Sequence, residues 1–127
     1  MYQGYVLMNR CRNYLVLVTE TLVACDLAQT IADFDPCAQV ICANSAEEAE
    51  EALACLASIE IAFVAQGPTR FAGTPLHRGL TIRGGRVVLL GVEAEDHGPS
   101  SVFDVLMQPF NTDAVMAKLQ AGLSAGH

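Results

Sequence analysis

Thiols are the first candidates for chemistry in this 127-residue chain, which carries Cys11, Cys25, Cys37, Cys42 and Cys55. A reactive cysteine needs exposure and a neighbouring cation or imidazole to hold its thiolate. No histidine or lysine stands near Cys25 or Cys55 in sequence, so a thiol sensor lacks its activating group. The odd count, without a CxxC pair or a secretory leader, predicts reduced thiols, most of them buried as small core residues. Cys37 and Cys42 would bracket an extended strand roughly 16 Å apart, beyond disulfide reach. His77 and His97 have no Cys or His at ligand spacing, which predicts surface histidines and no metal site. Glu93, Glu95 and Asp96 read as a solvated acidic loop. Gly84-Gly85 reads as a helix stop, because no GxGxxG or Walker pattern surrounds it. No cofactor is expected.

Composition narrows the partners. A net charge of −7 disfavours nucleic acid, whose phosphates reward basic surfaces. No apolar run reaches the roughly 18 residues of a membrane span, so no membrane contact is expected. Hydrophobic residues make up 52% of the chain, enough for one well-buried core. Residues 1–13 read as a short tail, since Arg10 and Arg12 follow its apolar residues rather than precede them. Residues 14–123 form the domain and 124–127 a second tail. Together with the reduced thiols this predicts a cytoplasmic protein.

The elements follow from period and punctuation. Residues 14–18, 39–43, 59–65, 87–90 and 103–107 are short apolar runs, each a strand covered on both faces. Val23, Leu27, Ile31 and Phe34 repeat at helical spacing until Asp35-Pro36 stops the helix. Ser45 can cap the amide of Glu48, whose carboxylate can reach back, to start a second helix with Ala49, Ala52, Leu53 and Leu56 inward. Residues 66–73 read as a loop around Gly67-Pro68 and Gly73. Thr74-Pro75 opens a third helix that ends near Gly84. The fourth helix, after Gly91, is broken by Gly98-Pro99 and must be short or irregular. Asn111 caps the last helix, which presents Ala114, Val115, Lys118 and Leu119.

Strands alternating with helices predict an α/β fold: a doubly wound, five-stranded parallel sheet of flavodoxin-like order 2-1-3-4-5. Function in such folds sits at the carboxyl edge of the strands. There the sequence puts Thr19, Glu20, Ala65, Gln66, Gly91 and Gln108.

Three stretches carry a family likeness. Leu15-Val16-Leu17-Val18-Thr19-Glu20 is an apolar strand with an acidic exit. Ala43-Asn44-Ser45-Ala46-Glu47-Glu48-Ala49 leaves the second strand and opens a helix. Val105-Leu106-Met107-Gln108-Pro109-Phe110-Asn111 leads from the fifth strand to the last cap. In that order the chain resembles the receiver domains of bacterial response regulators, the CheY-like superfamily of two-component signalling and phosphorelays.

The resemblance implies a site and also its loss. In the family, two acidic residues and a third-strand aspartate hold magnesium, and that aspartate takes a phosphoryl group. A Thr or Ser after strand four and a lysine after strand five steady the phosphoryl oxygens. At the matching positions stand Thr19, Glu20, Ala65, Gly91 and Gln108. Only Glu20 keeps the charge. Ala65 has no nucleophile, and one isolated carboxylate is a poor magnesium site. The aromatic of the family's switch falls on Val105. The family's cis Lys-Pro bond falls on Gln108-Pro109, so Pro109 is expected to be cis.

The resemblance therefore implies a phosphorylation-independent pseudo-receiver, not an enzyme, acting in bacterial signal transduction or transcriptional control through a protein partner or as a homodimer. A homodimer would pair through the last helix, including Val115 and Leu119 if these lie outside the core. The alternatives are a small-molecule-binding domain using the vacated acidic pocket of Glu20, Ala65, Gly91 and Gln108, or a thiol-based sensor.

Overall fold

Apolar side chains at both parities along each strand require cover on two faces, and the chain supplies helices to both. The computed structural model describes residues 12–100, 103–107 and 111–125, with side chains to residue 121. The strands are β1 (Asn13–Leu17), β2 (Gln39–Ala43), β3 (Ile61–Val64), β4 (Arg86–Leu89) and β5 (Phe103–Val105). They form a parallel sheet in the order β2-β1-β3-β4-β5. The helices are α1 (Thr21–Phe34), α2 (Ala46–Ala54), α3 (Pro68–Phe71), α4 (Pro75–Ile82), α5 (Val92–His97) and α6 (Thr112–Ala125).

Tyr14, Val16, Ile61, Phe63 and Val88 pack with Leu27 and Ile31 of α1 and with Val115 and Leu119 of α6. The opposite parity, Leu15, Leu17, Ala62, Val64 and Leu89, packs with Leu53, Phe71, Leu76, Leu80 and Ala94 from α2 to α5. Each such large side chain contributes about 1.5–3 kcal/mol by leaving water. Val115 and Leu119 are thereby consumed by the core, each 1% exposed, and cannot pair a dimer.

The caps act as their residue types dictate. Ser45 Oγ accepts from the Glu48 amide at 3.1 Å. The Glu48 carboxylate reaches back one residue further than the usual box, accepting from the Asn44 amide at 2.8 Å. Thr74 Oγ1 accepts from the His77 amide, and Asn111 Oδ1 from the Ala114 amide. Gly84, at φ +77°, closes α4 in a conformation that costs other residues.

Some edges differ from expectation. Strand β1 starts at Asn13, and the Arg12 carbonyl already accepts from Gln39, so order extends into the stretch read as a tail. Helix α6 runs on to Ala125, past the expected domain end at residue 123. Residues 68–71, read as loop, form one helical turn, because Pro68 at its first position pre-sets φ. The expected fourth helix is the six-residue α5, closed by Gly98 at φ +73°.

Candidate functional site

The carboxyl ends of β1, β3 and β4 meet at one edge. The Ala65 amide donates to the Leu17 carbonyl at 3.0 Å, and the Leu90 amide donates to the Val64 carbonyl at 2.9 Å. Ala65 therefore emerges between the exits of β1 and β4 with its methyl group exposed. Glu20 occupies the N-cap position of α1 with extended backbone, yet its carboxylate makes no cap bond and stays in solvent, as does Thr19. Gly91 has φ +111°, a region that L side chains rarely adopt. Its glycine is thus required by the backbone itself, a reason that the reading of a lost hydroxyl did not contain. Gln108 and Pro109, including the expected cis bond, lie outside the described residues.

Ala65 and Gly91 line one pocket of about 220 Å³, while Thr19 and Glu20 stay outside its wall. Among the described residues, its lining is completed by Gln66, Gly67, Arg70, Leu90, Val92 and Glu93. This pocket carries a guanidinium and a carboxylate, and Glu20 lies outside it. Arg70 was missed because a single turn has no periodicity to read, although Gly67-Pro68 was a legible helix start. Glu93, read as solvated loop, lies over Gly67 so closely that a β-carbon at position 67 would come within 2.7 Å of the glutamate's Cβ and Oε1.

The other sequence candidates fall elsewhere. Cys25, Cys42 and Cys55 are free and exposed, against the expectation of buried thiols. Cys25 sits two residues from buried Leu27, off the inner face of α1, and Cys42 lies on β2, which among the described residues is an edge strand paired only with β1. Although Cys42 is exposed as a residue, partial desolvation of its sulfur, then the nearby Cys25 thiol, push the thiol above its ordinary range, which makes it a poorer nucleophile. Cys37 is disulfide-bonded, so the thiols are not all reduced.

His77 is half-buried between Phe71 and Phe103, 5.1 Å from each ring, and its Nδ1 accepts from the Gly73 amide. Phe103 stands two residues before Val105 on β5, so the strand's aromatic faces α4 from a position the resemblance did not mark. Asp104, on the other face, binds Lys118 Nζ at 2.9 Å and Arg86 at 3.5 Å. Among the described residues, no three His, Cys, Asp or Glu side chains converge as metal ligands. No helix there is long and apolar enough to cross a membrane.

No protein-family model and no curated sequence matches the chain. Solved structures do. A response regulator receiver protein from Sinorhizobium medicae WSM419 superposes with a TM-score of 0.67 at 18% identity, covering 93% of this chain and 98% of that one. The solution structure of SdrG from Sphingomonas melonis Fr1 gives 0.58 at 21% identity, covering 90% and 97%. The fold is that of a receiver domain. Against the receiver frame, Ala65 closes the third strand and Gly91 follows the fourth, with the pocket between them.

Proposed function

We propose that this chain is a phosphorylation-independent receiver-like module of bacterial signal transduction or transcriptional control, working through a protein partner rather than by catalysis. The observation that carries this is Ala65. At the end of β3, where the resemblance calls for a carboxylate nucleophile, a methyl group faces solvent. Glu20 is a single carboxylate without a second beside it, since Thr19 holds the neighbouring position. Gly91 supplies no hydroxyl. Phosphoryl transfer depends on positioning and charge neutralisation, so losing the nucleophile and its supporting donors removes the reaction. A homodimer remains one form of partner, built on surfaces other than Val115 and Leu119.

The test is intact-mass spectrometry after incubation with acetyl phosphate and magnesium, which is expected to leave the mass unchanged. Beryllium fluoride with magnesium should likewise shift no resonance. Ala65→Asp alone should stay inert, because the phosphoryl oxygens would still lack the hydroxyl at position 91. A phosphoryl group mapped to β3 or the loop after it would overturn the reading.

A further inference from the structure

Arg70 and Glu93 line the pocket beside Ala65 and Gly91, both exposed, and neither forms an ion pair with the other or with any described residue. Two opposite charges on one rim, left unpaired, set the chemistry of what fits between them. A simple anion would meet the Glu93 carboxylate and a simple cation would meet Arg70, so each is penalised by the other charge. A zwitterion satisfies both. Guanidinium takes a carboxylate through two parallel hydrogen bonds, and glutamate takes an ammonium. The remaining wall is mixed: the amide of Gln66 stands beside Ala65 and Val92, the last 76% exposed and so unsatisfied by the protein itself, while Leu90 beneath is buried in the core. Size points the same way. About 220 Å³ lies below the roughly 300–1,000 Å³ of pockets for drug-sized ligands, which favours a ligand smaller than a nucleotide or flavin.

We propose that this pocket binds a free α-amino acid with an aliphatic side chain, its carboxylate on Arg70, its ammonium on Glu93 and its side chain against the exposed Val92. Gly67 is part of the construction, because a β-carbon there would push Glu93 aside. The inference stands on the pocket's own residues and does not depend on whether the chain can be phosphorylated. A ligand this small in an open pocket binds with a dissociation constant on the order of 1 mM.

The experiment is titration of the full chain with L-leucine, followed by amide NMR. Saturable shifts are expected at residues 65–67, 69–70 and 91–93, Pro68 having no amide proton. Arg70→Gln and Glu93→Gln should each weaken binding about tenfold or more, and Gly67→Ala should weaken it through the displaced Glu93. Both charged side chains are exposed, so well-dispersed spectra of these two variants would show that the fold survives. 3-Methylbutanoate, inorganic phosphate and 3-methylbutylamine, each carrying one charge sign, should give no saturable shift. The proposal fails if leucine at about 20 mM shifts nothing at these residues, or if 3-methylbutanoate or phosphate matches leucine. It also fails if both charge variants bind unchanged.

Discussion

The two ends of the sheet treat polar groups in opposite ways. At the amino end, Tyr14 Oη donates to Asp35 at 3.2 Å, the Cys37 amide donates to the same carboxylate, and Arg12 lies 3.6 Å from Asp35 and 3.8 Å from Glu60. Tyr14 is fully buried and Asp35 nearly so. At the carboxyl end, Glu20, Arg70 and Glu93 stand in solvent without such partners. Buried polar groups must be bonded or they cost stability, so the first network is fixed by folding. The second set adds little to the fold and is free for a ligand or a partner. Polar residues of similar type thus serve structure at one end and recognition at the other.

The largest way to break this contrast is Asp35→Ala. It strips a buried phenol and a backbone amide of their acceptor and should cost about 2–3 kcal/mol in urea unfolding. If the variant is neutral, the amino-end network is not structural. Next is Gly91→Thr, which forces a β-branched residue into positive φ and should cost about 1–3 kcal/mol despite open space around the position. Gly91→Ala should lose most of the same amount if backbone conformation is the cause.

The third test uses pH. Burial, then the charge and hydrogen bond of Asp35, hold the Tyr14 phenol protonated well above its ordinary range. The unfolded chain ionises that phenol near pH 10, so the stability it contributes is intact below about pH 10 and lost as pH rises further. Melting temperature should fall above that point, and Tyr14→Phe should flatten the fall while costing about 1 kcal/mol at neutral pH. Smallest of all, Arg70→Gln should change stability by less than about 0.5 kcal/mol, as expected of an exposed, unpaired side chain. A larger loss would mean that Arg70 is structural and would remove the contrast.

Much of this contrast was half legible in the sequence. The apolar runs gave strand identity and, through alternation with helices, the order β2-β1-β3-β4-β5. Ser45, Thr74, Gly84 and Asn111 marked helix ends because their chemistry is local. What escaped was whatever depended on neighbours in space. Cys42 looks like any core cysteine until β2 is known to be an edge strand. Arg70 reached the pocket through a single turn too short to leave a periodic trace. Gly91 looked like a deleted hydroxyl, and only its dihedral angle showed that the chain needs a glycine there. Arg12 and Asn13 read as tail because their roles lie across the sheet, in Asp35, Gln39 and Ser58.

The clasp of Asp104 with Lys118 has one more consequence. Lys118 is the chain's sole lysine, its side chain is only 26% exposed, and its amine is held 2.9 Å from the carboxylate that joins β5 to α6. Apart from the amino terminus, acylating reagents therefore find one primary amine, and they find it occupied. Its labelling rate becomes a built-in gauge of how often α6 lifts from β5, readable by mass spectrometry without attaching any probe. Asp104→Asn, which leaves the amine in place but weakens the clasp, should raise that rate and calibrate the gauge.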